Sequence, residues 1–220
     1  MTLNPPLLSL ALAFITTAIL FVLALPVAYW LTITRSFLKP YVESLAMLPL
    51  ILPPTVLGFY LLSAFSPASP LGRLYVSATG QSLSFSFTGI LIASVIYNLP
   101  FSLRPFTAAF SSVDRRYPEA AWCLGISSLK TFFMVTLPLA GRGILAGVLL
   151  TFAHTTGEFG VVLMVGGNIP GVTRTVSMAI YDDVQALQYE AAARTSFLLL
   201  VLSFVTLVAV FRLEKRKAGV

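Results

Sequence analysis

"EAAWCLGISSLKTFFMVTLP", residues 119–138, is the stretch on which the fold turns. An acid, paired small residues, a glycine and two serines make it too polar and too broken to cross a bilayer. Its aliphatics and aromatics make it too apolar for an idle solvated loop. Pro118 suits a first helical turn, where its missing N–H costs nothing, and Glu119 suits the positive end of the helix dipole. Ala120 to Leu124 continue a short helix, and Gly125 is a natural stop. Ser127 or Ser128 can cap a second short segment before Pro138 opens the next apolar run. The expectation is a rigid knob of two short helices around a glycine. Its small residues allow close approach, while Trp122 and the aliphatics need a partner's groove.

The rest of the chain says where such a knob would sit. Of 220 residues, 57% are hydrophobic and only 10% charged, and the mean hydropathy is +0.91. Soluble domains carry roughly 25% charged residues, so there is too little polar sequence here to coat a soluble core. The class is an all-α integral membrane protein. The net charge of +6 lies between and after apolar runs, without the aromatic-interleaved patches of a nucleic-acid site, and no nucleic-acid partner is expected. The first residues lack a basic leader and a small-residue cleavage site, so their apolar run is expected to be a retained span. The single cysteine, Cys123, excludes an internal disulfide and a multi-cysteine metal cluster.

A helix needs about 20 apolar residues to cross the hydrocarbon. Five spans are predicted, at 7–31, 44–65, 88–110, 139–161 and 190–211. The fourth starts near Leu139 so that Pro138 falls in its first turn and Arg142 near the interface. Lys and Arg concentrate on the cytoplasmic side of membrane proteins. With the N-terminus outside, the inside receives Arg35, Lys39, Arg104, Arg115, Arg116, Lys130, Arg142, Arg212, Lys215, Arg216 and Lys217. The outside receives only Arg73, Arg174 and Arg194. This bias predicts N-terminus out, C-terminus in, and a cytoplasmic knob within 114–138.

Two spans are heavily broken. The second holds Pro49, Pro53, Pro54 and Gly58, and the third Asn98, Pro100 and Pro105. Carbonyls freed by proline must face protein or a watery path, never lipid. Gly143-x-x-x-Gly147 permits close helix packing and says little of function.

Glu119-Ala120-Ala121, then Gly125-Ile126 and Leu137-Pro138, resembles the "EAA" coupling loop of ABC importer permeases. The resemblance implies a type I importer fold in one permease domain over 1–220, with a loop that docks into a cytoplasmic ATPase. The chain has no G-x-x-x-x-G-K-[ST] phosphate loop, so ATP hydrolysis would belong to a separate subunit. This chain would bind no cofactor and no metal, ATP and Mg²⁺ being used by that ATPase.

Two further stretches narrow the resemblance. Leu48-Pro-Leu-Ile-Leu-Pro-Pro-Thr-Val-Leu-Gly58 is similar to the broken second span of the molybdate branch of the oxyanion importers. Gly157-Glu158-Phe159-Gly160, with Gly167-Asn-Ile-Pro-Gly171 and Thr173-Arg-Thr175, is similar to the "GEFG…GNIPG" region of that branch. Sulfate permeases share part of it, so sulfate or tungstate remains the alternative substrate. Trp122 and Cys123 stand where Arg and Thr are frequent in the family. His154 stands where an Arg is frequent, exchanging a fixed charge for a titratable one.

His154 and Glu158 are four apart, which on one helix places them on one face. Ionisable groups within a membrane are functional candidates, and a packed hydrogen-bonded pair is the other reading. Without the second His of H-E-x-x-H, an intramembrane enzyme built on them is a remote alternative. Pathway or gate candidates are Pro53, Pro54, His154, Gly157, Glu158, Phe159 and Gly160. Residues 159–169 are too short and glycine-rich to span, and are expected to fold back toward the outer mouth. Asp182 and Asp183 read as a solvated outer loop. The expected assembly is two copies of this chain, two ATPases and an extracytoplasmic oxyanion-binding protein, in the lipid of the cytoplasmic membrane.

Overall fold

The computed structural model describes residues 4–215. Arg216 and Lys217, part of the predicted cytoplasmic charge, lie outside the described residues. Among these the chain is helical throughout, with no strand. Four helical runs are long and apolar enough to cross a membrane: Pro5–Ile33, Phe87–Ser111, Ser128–Thr156 and Tyr189–Leu213. A bent pair, Lys39–Ile51 and Pro54–Phe65, makes a fifth if taken together.

Helix α1 (Pro5–Ile33) buries Leu8, Leu12, Thr16, Leu20, Ala24, Ala28 and Leu31. These recur every three or four residues, the signature of one packed helix face. That face meets α5 (Phe87–Ser111) and α8 (Leu137–Thr156), which also pack on each other, and the three form the centre of the bundle. Apolar side chains gather in two separate cores. One joins Leu8, Leu12, Leu57, Ile90, Val161 and Val165; the other joins Ala28, Leu31, Leu103, Phe106, Phe110 and Ile144. Gly147 lets α8 approach α5, since a Cβ there would lie 2.9 Å from Pro105 and Phe106. The last helix, α11 (Tyr189–Lys215), runs along α8 and α10 (Val176–Gln185). It leaves Phe197, Leu198, Leu200 and Phe204 exposed, as a helix facing lipid or another apolar partner does.

The predicted spans shift in three places. The second does not run straight from 44 to 65. Helix α2 (Lys39–Ile51) ends at Leu52, and α3 (Pro54–Phe65) leaves it at 108°. A residue before proline is pushed into extended backbone, and both Leu52 (ψ 136°) and Pro53 (ψ 135°) are extended. Two successive prolines therefore turn the chain rather than kink it. After Phe65 come the short α4 (Pro70–Thr79) and the turn that enters α5.

The fourth span begins earlier and ends earlier than 139–161. A four-residue helix α7 (Ser128–Thr131) passes through a π-helical turn (Phe132–Thr136) directly into α8. Leu137 N–H bonds to the Phe132 carbonyl, five residues back. A proline ring clashes with the carbonyl four residues before it, and a wider turn placed just ahead of Pro138 gives that carbonyl room. Pro138 thus lies inside a continuous helical run. At the other end α8 stops at Thr156, because Gly157 closes it with a tight bond from its N–H to the His154 carbonyl.

Residues 159–169 form the short helix α9 (Gly160–Gly166) and a turn. Val161, Val162 and Val165 are fully buried in the first core, so α9 is packed within the subunit. Asp182 and Asp183 are on helix α10 and not on a loop. The reason is a polar clasp. Asp182 accepts two bonds from Asn168 Nδ2, at 2.8 and 3.0 Å, and pairs with Arg174 at 3.1 Å.

Candidate functional site

Two regions carry the predicted residues. The first is the knob. Helix α6 (Arg116–Cys123) has Glu119 in its first turn and ends in a two-bond glycine cap. Ile126 N–H bonds to the Ala121 carbonyl at 3.1 Å and Gly125 N–H to the Trp122 carbonyl at 2.9 Å. This pair of bonds defines the Schellman motif and requires a left-handed residue between helix and loop. Gly125 supplies it, at φ +78°. Ala121 is buried, while Glu119, Ala120 and Gly125 are exposed and Ile126 half-buried. Trp122, Leu124, Leu129, Phe133 and Met134 all stand exposed around them. Leu137 and Pro138 are separated from this surface. Leu137 packs into the second core while Pro138 is exposed beside it, so Leu137 anchors the root of the knob and not its tip.

The second region is a belt of polar side chains between the two cores. On α5, Ser94, Asn98 and Ser102 are spaced four apart and are all buried. Opposite them, Thr151 and Thr155 of α8 are buried, as is Glu158, which is 4% exposed. His154 and Glu158 do not share a helical face, because α8 ends between them; the Asn98 amide joins them instead. Its Nδ2 donates to Glu158 Oε2 at 2.8 Å and to the Ser94 carbonyl at 2.8 Å. Two acceptors on Nδ2 fix the amide, so Oδ1 accepts from His154 Nδ1, 2.8 Å away. The imidazole lies flat against Phe101, ring centres 3.6 Å apart. Ser102 and Thr151 complete the belt with a hydroxyl pair at 2.9 Å. Among the described residues, Glu158 Oε1 has no hydrogen-bond partner.

Around Glu158 the break at 157–159 is held from several sides. Gly160 sits on Pro54, where a Cβ would come within 2.8 Å of the proline ring, and Gly58 sits equally close to Met164. The double-proline corner and the Gly-Glu-Phe-Gly corner are therefore packed against each other, α3 on α9. Ser177 Oγ donates to the Gly157 carbonyl at 3.0 Å, and Phe159 meets Tyr181, ring centres 5.3 Å apart. Pro53 is exposed and Pro54 half-buried. The break thus ties α3, α5, α8, α9 and α10 to one point.

Residue-level reading missed two things. Asn98 was counted only as a breaker, although Ser94, Asn98 and Ser102 at four-residue spacing signal one polar face on an apolar helix. The Asn168–Arg174–Asp182 clasp has no sequence signal, since the turn between α9 and α10 brings its three residues together at no regular helical spacing.

Comparison with known proteins agrees with this architecture. The sequence matches the family described as "binding-protein-dependent transport system inner membrane component" over residues 4–219. It is 45% identical over 212 residues to the molybdenum transport system permease protein ModB of Azotobacter vinelandii, covering 96% of this chain and 94% of that one. The permease of the same name from Escherichia coli K12 is 33% identical over 216 residues, with 96% and 94% covered. Among solved structures, the inward-facing MetNI methionine ABC transporter superposes with a TM-score of 0.75 at 18% identity, covering 96% of this chain and 94% of that one. A bacterial ABC transporter that imports alginate gives 0.72 at 16%, with 97% and 77% covered. At that identity the structures establish the fold alone, the type I importer permease. The relatives and the family establish the rest: this chain belongs to the binding-protein-dependent transport system inner membrane components, as a multi-pass permease subunit of an ABC importer.

Proposed function

We propose that this chain conducts molybdate, as the permease half of an ATP-driven importer that works by alternating access. The 45% identity to a molybdenum transport permease over nearly the whole of both chains is the observation that carries the substrate. The capped knob of α6 is what supports coupling to a separate subunit. An exposed, rigid helix with an apolar rim needs a groove to sit in, and a nucleotide-hydrolysing partner would offer one. In this reading two copies of the chain present two knobs to two ATPases, which use ATP and Mg²⁺, while this chain binds no cofactor. A binding protein on the outer side delivers the anion and does most of the discrimination. The N-terminus faces out, so that α6 and the cluster of Lys and Arg around it face the cytoplasm.

The break at 157–159 is the proposed hinge of the gate. Rotation of the knob would pass along the continuous α7–α8 run to Gly157, where Glu158, through Asn98, and Gly160, through Pro54, carry it to α5 and α3.

Molybdate and sulfate are both tetrahedral dianions, so charge in the path separates them poorly. The test is therefore physiological. Cells lacking this chain should lose molybdenum-enzyme activity at trace molybdate, regain it when molybdate is raised, and grow normally on limiting sulfate. Loss of sulfate-limited growth with molybdenum enzymes intact would replace molybdate by sulfate and leave the coupling argument standing.

A further inference from the structure

A cavity of about 440 Å³ lies where α1 and α5 end and where α2 and α6 begin. Arg35, Lys39 and Arg115 all line it, against one carboxylate, Glu119. Lys39 also approaches Glu43 at 4.0 Å, which still leaves the surroundings net positive. Thr136 lines the same cavity, is 5% exposed, and its Oγ1 has no hydrogen-bond partner among the described residues. Trp122 of the knob and Tyr29 of α1 complete the rim. Two helix C-termini and two N-termini meet here, so their dipoles roughly offset, and the side chains set the sign of the field.

Three cations gathered at the edge of an apolar bundle repel one another, and a bound anion reverses that cost. A guanidinium offers a planar fork to tetrahedral oxygens, and a lysine and a hydroxyl add single donors. Basic pockets between membrane helices on the cytoplasmic side take anionic head groups in the same way. Ile33, Phe110 and Val113 give the cavity apolar walls beside the cations. We propose that this cavity binds one tetrahedral oxyanion group, supplied by the phosphate of an anionic phospholipid or by a free oxyanion in solution. Bound there, the anion bridges the α1–α2 turn, the start of α6 and the π-helical turn, and holds the knob against the bundle. The inference goes beyond the transport reading and rests on it only for the name of the leaflet.

Trp122 is a reporter inside the site, and Trp30→Phe leaves it as the sole tryptophan, since the chain has two. The full chain carrying that change is placed in phosphatidylcholine nanodiscs and in nanodiscs containing phosphatidylglycerol. The phosphatidylcholine sample is also titrated with sodium phosphate and with molybdate at constant ionic strength. Either the lipid or a free anion should shift Trp122 emission. Arg35→Gln and Arg115→Gln should each weaken the response about fivefold, whereas Arg73→Gln on the distant α4 should leave it unchanged. A response to phosphatidylglycerol alone assigns the lipid; a saturable response in phosphatidylcholine assigns the free oxyanion. If the arginine variants melt early, Thr136→Val, which removes only a donor, replaces them and should weaken binding severalfold. No response to any anion overturns the proposal, and so does a response that survives both arginine variants, or Thr136→Val where it stands in for them. Molybdate uptake plays no part in the readout, so failure here leaves the transport reading untouched.

Discussion

Asn98 shows how much one polar side chain organises in an apolar bundle. Its amide serves Glu158, His154 and the Ser94 carbonyl at once, and among the described residues no other group makes a hydrogen bond to the Glu158 carboxyl. Asn98→Ala would leave a buried carboxylate without its donor, a loss worth about 1–3 kcal/mol in water and toward the lower end inside a membrane protein. The expected result, in mild detergent, is an unfolding free energy lower by about 1–2 kcal/mol. Glu158→Gln keeps an acceptor for Asn98 and should cost clearly less. Equal losses in the two variants, or none in Asn98→Ala, would show that the belt is not organised by that amide. Glu158 was legible as a candidate because acids in apolar runs are conspicuous. The role of Asn98 was not, since a single amide among prolines reads first as a helix breaker.

Among elements, the junction of α3 and α9 is the least expected feature. Both segments looked like interruptions in the sequence, one of a span and one of a loop. In the fold each interruption is packed on the other. Pro54 is met by Gly160 and Gly58 by Met164, at distances that allow no added carbon. Gly160→Val would force the corner apart, and overpacking of this kind costs about 1–3 kcal/mol. The four helices long enough to span should still insert, so the variant should reach the membrane in normal amount. Its transport rate should fall severalfold, measured as anion uptake per molecule in the membrane. Normal uptake would mean that the corner is mere packing and would remove the hinge. The boundaries of these elements were beyond sequence reading for a physical reason. Apolar periodicity reports which face of a segment is buried, and it carries no record of a change in chain direction, whether at Leu52–Pro54 or after Gly157. The π-helical turn before Pro138 is similar: the proline was visible, but the relief of its clash depends on backbone far from any composition signal.

For the molecule as a whole, the proposed cytoplasmic placement of the knob rests on the distribution of Lys and Arg, and it is testable with the single cysteine. Cys123 is exposed on α6. In sealed right-side-out vesicles a membrane-impermeant thiol reagent should leave it unlabelled, and opening the vesicles should label it unless a partner covers it. Rapid labelling from outside would invert the orientation. The all-α class, four of the five predicted spans and the two short helices of the knob were legible because each is a property of composition or of local spacing. The two cores and the belt between them were not, because each joins residues from distant parts of the chain, and the clasp at Asp182 was not, because a turn forms it at no regular spacing. The central claim is that closure of a separate ATPase, felt through α6, drives molybdate across this subunit. It is tested most directly in proteoliposomes holding this chain with its ATPase, with binding protein and molybdate outside the vesicle face that binds it. ATP should drive molybdate accumulation, and Gly125→Val, which puts a β-branched residue at φ +78°, should abolish accumulation while the chain remains folded and inserted. Accumulation without ATP, or at the wild-type rate with Gly125→Val, would contradict it.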